Sequence, residues 1–301
     1  MELAPIILFV YNRPDHTRQT VEALQKNFLA KDSELFIFSD APKNEAAASG
    51  VAEVRRYLHT ISGFKKASVI ERGENWGLAK SIIQGVTEIV NKYGRVIVLE
   101  DDIITSPHFL QFMNDALELY KDDNRVMHVS GYFLPVKAEL PETFFYRQTS
   151  CWGWGTWDRA WRYFNVDAKK LLGEIMKRGQ LKQFNMNGSF NFSSQLKANV
   201  EGKINTWAIK WQASVFLHDG LCLHPRTSLT KNIGNDGSGV HATATSDFDT
   251  VVANNPVKLK KQAIEELAFV NRTIEKFYDG VRPGLFTRII HKVRRLLLGN
   301  A

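Results

Sequence analysis

Cysteine is nearly absent from this chain: 301 residues contain two, Cys151 and Cys222. Their number and spacing suit neither a metal site nor a disulfide framework, so free buried thiols in a reducing compartment are expected. Long apolar runs are also missing, and nothing approaches the ~20 consecutive apolar residues of a membrane-spanning helix. The opening residues Met1-Glu2-Leu3-Ala4-Pro5 show no basic region and no signal-peptide cleavage pattern, so export is not expected. There is no internal repeat, no low-complexity tract and no long Pro/Ser linker. Even the positive charge is scarce where it would matter. Of the net +7, ten Lys/Arg against four acids fall between Lys258 and Ala301, leaving +1 for the other 257 residues. Nucleic acid is therefore not an expected partner.

What is present is a soluble globular composition, 44 % hydrophobic and 24 % charged, with a regular alternation of patterns. Strands are expected at Pro5 to Tyr11, Glu34 to Ser39, Ala67 to Glu71 and Arg95 to Leu99, and helices at Asp15 to Leu29, up to Leu58, and Leu78 to Tyr93. Such βαβ repetition predicts an α/β fold, a mostly parallel sheet with helices on both faces. Ser106-Pro107 opens a further helix to about Tyr120, on which Phe109, Phe112, Met113, Ala116 and Leu117 share one stripe, and Val126 to Ser130 is another strand. The expected organisation is one domain over 1–255, with a ligand-binding half (1–130) and a second half (131–255), followed by a basic helical tail (256–301).

The most informative segment is Val96-Ile97-Val98-Leu99-Glu100-Asp101-Asp102. Four apolar residues describe a strand buried on both faces, and the carboxyl ends of such strands form the ligand-binding edge of the sheet. Three adjacent carboxylates repel one another unless a cation sits among them, so Glu100, Asp101 and Asp102 form a candidate site for a divalent ion. Arg13 and Asp40 leave the first and second strands at the same edge, where a guanidinium and a carboxylate can recognise a nucleotide. Asn75-Trp76-Gly77-Leu78-Ala79-Lys80 opens the third helix, and Lys80 in its first turn is placed to meet a phosphate.

Taken together, Val10-Tyr11-Asn12-Arg13, Phe38-Ser39-Asp40, Glu74-Asn75-Trp76-Gly77 and Leu99-Glu100-Asp101-Asp102-Ile103 with Pro107-His108-Phe109 resemble nucleotide-sugar glycosyltransferases of the A-type fold. The N-acetylglucosaminyltransferase I type and bacterial family 2-like enzymes are the members they are similar to. The resemblance implies that Asp102 coordinates Mn²⁺ or Mg²⁺ on the donor diphosphate, that Asp101 contacts ribose or sugar, and that Arg13, Asp40 and Glu100 hold the base. It also implies a hexosyl or N-acetylhexosaminyl transfer, with inversion, from a donor that is expected to be a UDP-sugar. The acceptor is expected to be a hydroxyl of a glycan or lipid-linked glycan, as in polysaccharide biosynthesis. The alternative function is a sugar- or nucleotide-sugar-binding protein with a degenerate site. A nucleotidyltransferase would carry a Gly-rich loop where Tyr11-Asn12-Arg13-Pro14 stands, and a phosphatase would carry Asp-x-Asp.

An inverting transfer needs a base for the acceptor hydroxyl. The region where the family carries it corresponds to Trp207-Ala208-Ile209, which has no acid. Asp236 and Asp158 are the favoured substitutes, with Glu201 and Asp219 as further alternatives. The loop Asn232 to His241 is placed to close over the donor, bringing His241 to the metal or diphosphate. Trp152 and Trp154, set beside glycines, are candidates for stacking on the acceptor sugar. Near the end, Leu285, Phe286, Ile289, Ile290, Val293, Leu296 and Leu297 form one stripe among Arg288, Lys292, Arg294 and Arg295. This is the pattern of a helix lying on an anionic membrane surface. A cytoplasmic protein that attaches peripherally to the inner face of the membrane is the expected setting.

Overall fold

The computed structural model describes residues 2–235 and 246–281. The chain opens with β1 (Ile6–Val10), α1 (Pro14–Gln25), β2 (Glu34–Ser39), α2 (Glu45–Leu58), β3 (Lys66–Glu71), α3 (Leu78–Tyr93) and β4 (Arg95–Glu100). It continues with β5 (Ile103–Thr105), α4 (Phe109–Leu119), β6 (Val126–Ser130), β7 (Thr143–Tyr146), β8 (Trp154–Trp157) and the short α5 (Asp158–Trp161). Four helices follow, α6 (Ala168–Lys177), α7 (Leu181–Phe184), α8 (Phe192–Val200) and α9 (Ala208–Leu217), and then β9 (Leu221–Pro225), β10 (Thr230–Asn232) and α10 (Ala268–Val281).

The main sheet has the order β3-β2-β1-β4-β8-β6-β9-β7, and β7 and β8 run against the other strands. The expected α/β class and its parallel half are therefore present. Ile6, Ile7, Leu8, Val96, Ile97, Val98 and Leu99 are fully buried, which is why these strands read as uninterrupted apolar runs. On one face, α1, α2 and α4 close a core around Val21, Leu24, Val54, Leu110 and Met113. On the other, α3, α5 and α9 bring Ile82, Val86, Trp161 and Trp211 against Phe9, Val98 and Trp154.

Parallel pairing fixes the working edge. The registers Val10↔Ser39, Ser39↔Glu71 and Phe9↔Glu100 bring the carboxyl ends of β1 to β4 together. Strand β9 is parallel to β6, so the chain after Pro225 leaves at this edge too. It then pairs β10 with β5, Asn232 opposite Ile103, directly beyond the acidic triplet.

Two expectations about organisation are corrected here. Residues 256–281 are not a separate tail: Ile264 joins the main core, the Ile264 carbonyl accepts from Arg125 at 3.0 Å, and Val270, Ile274 and Tyr278 of α10 pack under Phe133 and Tyr146. Helix α1 stops at Gln25 rather than Leu29. Asn27 is pinned by Thr105 Oγ1 and the Leu110 amide, which pulls the chain out of the helix.

Candidate active site

The three acids sit in different surroundings although they are consecutive. Asp101 is buried and Asp102 is partly open. The Asp101 carbonyl accepts from Thr20 Oγ1 at 2.8 Å, and the Asp102 carbonyl from the Ile233 amide at 2.9 Å, so the backbone of the pair is fixed by α1 and by the stretch after β10. Arg13 Nη2 donates to Asp101 Oδ1 and, at 2.7 Å, to Asp102 Oδ2. Burial alone would lower the Arg13 pKa, but the two carboxylates outweigh it and raise it. Burial pushes the Asp101 carboxyl up to about 6, with Asp102 adding to the rise and Arg13 opposing it. Glu100 is driven well above the usual carboxylate range, by burial first and then by Asp102 and Asp101. One guanidinium thus bridges two of the three acids, Asp101 and Asp102.

Beside this cluster lies a second, electropositive one. Asp40 Oδ1 and Oδ2 accept from the amides of Ala41, Trp76 and Gly77 at 2.8–3.1 Å, and Asn75 Nδ2 donates to the Ala41 carbonyl at 2.6 Å. Gly77 takes φ +72, a left-handed value that suits glycine, immediately before α3. Most of the Asp40 carboxylate therefore organises the start of α3, leaving little acceptor capacity for a ligand. The indole of Trp76 carries the Arg72 guanidinium at 3.6 Å and Lys80 Nζ at 4.4 Å from its centroid. Arg72 was not foreseen from sequence; its only signal is its place directly after β3. Burial lowers its pKa, with Asp40 opposing.

The family model described as "Glycosyl transferase family 2" matches residues 6–171, which spans β1 to β8 and all of these side chains. The chain belongs to glycosyl transferase family 2. The family is one of glycosyltransferases, and the mostly parallel α/β sheet described above is the part of the chain that its model covers. A search of curated protein sequences finds no match. Solved structures with matching segments include S. aureus TarS, 13 % identical with a TM-score of 0.32 over 50 % of this chain and 28 % of that one. Another is the mannosyltransferase PcManGT from Pyrobaculum calidifontis in complex with GDP-Man and Mn²⁺, 13 % identical with a TM-score of 0.37 over 72 % of each chain. This chain spans little more than a quarter of TarS.

Several residues singled out in this glycosyltransferase lie elsewhere. Because β8 is antiparallel to β4, with Trp157 opposite Arg95, Asp158 emerges at the edge opposite Asp101 and Asp102. Its amide donates to the Gly94 carbonyl at 3.0 Å, and it cannot serve as base for a reaction at the other edge. Trp154 is fully buried, stacked on His128 and Trp207 with centroids 5.3 and 5.2 Å apart, so it is core rather than a sugar platform. Glu201 ends α8 in an ion pair with Lys203, Asp219 belongs to the turn before β9, and Trp207 and Ile209 are buried. Asp236 and His241 lie outside the described residues, as does the apolar stripe from Leu285 to Leu297.

Trp152 stays at the working edge, half-buried against Tyr132 (4.5 Å, edge-on) and Phe248. Its carbonyl accepts from Thr230 Oγ1 at 2.6 Å. Asn232 and Gly234 were not among the predicted site residues, yet Asn232 Nδ2 is 3.4 Å from Asp102 Oδ1. An acid that sequence missed, Asp249, is drawn to β10: its carboxylate is 3.9 Å from Lys231 Nζ, and Thr250 Oγ1 donates to the Thr230 carbonyl. Asn232 opens the loop that the sequence singles out, although its contact with Asp102 is not legible there, and Asp249 has no local signal because its place is set by pairing across the chain.

Proposed function

We propose that this glycosyltransferase moves a hexosyl or N-acetylhexosaminyl group from a UDP-sugar, with a divalent cation, to a hydroxyl of a glycan or lipid-linked glycan, inverting the anomeric carbon. The observation that carries this reading is the side-by-side pair Asp101 and Asp102 at the end of β4, at the edge shared with Asp40, Asn75, Arg72 and Lys80. Two hard carboxylate oxygens are the donor chemistry of Mn²⁺ or Mg²⁺. Among the described residues no three His, Cys, Asp or Glu side chains converge as a complete metal site, which suits a cation that takes its remaining ligands from a diphosphate. Asp102, with Asp101 behind it, would hold that ion. Bound there, the cation supplies charge stabilisation for the departing nucleoside diphosphate.

The chain's own residues account for the rest. Lys80 and Arg72 lie where the diphosphate or base would pass, Asn75 and Asp40 shape the wall beside it, and Trp152 offers an indole to the sugar. In this reading the 1–130 half binds the donor and the 131–255 half, extended by α10, the acceptor. For the base, Asp249 replaces Asp158, alongside Asp236. The two free thiols support a cytoplasmic setting. No helix among the described residues is long and apolar enough to cross a membrane, and contact with an anionic surface is assigned to the basic segment after Val281.

A thermal-shift panel of nucleotide sugars with and without Mn²⁺, followed by a transfer assay, tests this reading. Stabilisation by a UDP-sugar only with Mn²⁺, and its loss in Asp102→Asn with the fold intact, is the expected result. Undiminished transfer by Asp102→Asn overturns it. Sedimentation with anionic vesicles at low and high salt tests the membrane contact, which should weaken as salt rises.

A further inference from the structure

The Arg13 side chain occupies the place that the reading above gives to a divalent cation. Its Nη2 reaches both Asp101 Oδ1 and Asp102 Oδ2, so the guanidinium is clamped on the two oxygens a metal would need. A guanidinium and a divalent ion cannot share them, because like charges at contact distance repel strongly in a partly buried site. The backbone of Arg13 is fixed: its carbonyl accepts from the Thr17 amide at 3.0 Å and Thr17 Oγ1 at 2.9 Å, and Pro14 follows at the first turn of α1. Only the side chain is free to leave. Above it the Gly234 backbone closes the site, since a Cβ at that position would overlap Asp102 Oδ2 and stand 2.9 Å from Arg13 Nη1.

We propose that Arg13 is a built-in counter-cation that keeps the Asp101–Asp102 pair closed to metal until a nucleoside diphosphate draws the guanidinium away, so that metal is taken up with the donor rather than before it. The inference rests on the metal-dependent reading of the site. A diphosphate offers a guanidinium two oxygens in the fork geometry that arginine favours, and so competes directly with the two carboxylates. Once vacated, two neighbouring carboxylates, one of them buried, lack a counter-charge and attract a divalent ion. Metal and nucleotide must then strengthen each other's binding by the same factor, as linkage requires. Arg13 becomes a positioning residue for metal uptake in addition to any contact it makes with the nucleotide.

The test uses the full chain as wild type, Arg13→Gln and Arg13→Lys, each checked for fold by circular dichroism. Each is titrated with Mn²⁺ alone and with Mn²⁺ plus UDP, reading free Mn²⁺ by electron paramagnetic resonance against a protein-free UDP control. Wild type is expected to bind Mn²⁺ alone weakly. Arg13→Gln should bind it about tenfold or more tightly, within the usual range of coupling. Arg13→Lys, which keeps the charge but on a shorter side chain, should fall between. UDP should strengthen Mn²⁺ uptake by wild type more than by Arg13→Gln. Equal Mn²⁺ affinities without UDP overturn the role of Arg13 and leave the metal site standing. No uptake by any of the proteins, even with UDP, overturns the metal reading and this inference together. If Arg13→Gln does not fold, the comparison of Arg13→Lys with wild type decides by the same criterion.

Discussion

Gly234 lies so close to Asp102 that even a methyl group at 234 would overlap Asp102 Oδ2. The contact joins the stretch after β10 to the end of β4, and Asn232 and the Ile233 amide reinforce it from the same side. Among the described residues, the backbone of Ile233 and Gly234 and the side chain of Asn232 thus cover Asp102 from this side.

Gly234→Ala should therefore impair donor binding more than folding. The added Cβ must push Asp102 or Arg13 aside, and a misplacement of about 1 Å at a reacting centre costs up to ~100-fold in rate. A fall of tenfold or more in kcat/KM with little change in Tm is the expected outcome; a variant as active as wild type would show that this cover yields freely.

Glu100→Gln should stabilise the protein at neutral pH. Burial and the neighbouring aspartates raise the folded-state pKa of Glu100 above its unfolded value. Its contribution is then present below the unfolded pKa and lost as pH rises through the folded one, so the ionised form works against folding at neutral pH. The Tm difference between variant and wild type should be near zero around pH 4 and grow toward pH 8, where about 1 kcal/mol corresponds to roughly 2–4 °C. A constant difference across that range would contradict the assignment.

The buried pair His128 and His224 should make the fold acid-sensitive. Burial lowers His128 to about 3 and His224 to about 4, each held through Nε2 at a backbone carbonyl, Ser150 and Gln148 respectively. Unfolded histidine binds its proton near pH 6.5, so stability is fully present above that value and declines from there down through the folded pKa values. The limiting slope is about 1.4 kcal/mol per pH unit for each histidine. His128→Gln should lower stability at pH 7 but flatten its decline between pH 6.5 and 4, as read by urea denaturation.

Asp249→Asn and Asp158→Ala form a matched pair. If Asp249 deprotonates the acceptor, its amide variant should lose about 10²–10⁴-fold in kcat with nucleotide affinity unchanged. Asp158→Ala, at the opposite edge, should transfer sugar at the wild-type rate. A reversed pattern would mean that the acceptor approaches from the other end of β8.

Trp154→Ala should be a stability variant. A fully buried tryptophan stacked on His128 and Trp207 is worth about 3–5 kcal/mol when truncated. Trp152→Ala, half-buried against Tyr132 and Phe248, should cost less stability than Trp154→Ala and in addition raise the acceptor KM.

The parallel half was legible because its strands are buried on both faces and its helices carry one apolar stripe. Glu34–Ser39, Leu78–Tyr93 and Val126–Ser130 have the expected bounds, and Val96 to Leu99 running into three acids marks the working edge. The Trp-Gly-Trp-Gly-Thr-Trp stretch was less informative. Both faces of β8 are covered, Trp154 in one core and Trp157 in the other, and aromatic density does not reveal a strand's direction. That direction moved Asp158 from one edge to the other. The clasp of Arg13 on Asp101 spans 88 positions, and the proximity of Asp249 to Lys231 depends on where a loop returns. No local pattern encodes such meetings.

Because β8 is inserted between β4 and β6, the hydrogen-bonded ladder passes without interruption from the β1–β4 side of the sheet to the β6–β9 side. Opening the two halves like a hinged book would break that ladder at its middle. The strands on either side of β8 are thereby tied to move as one plate rather than as two leaves.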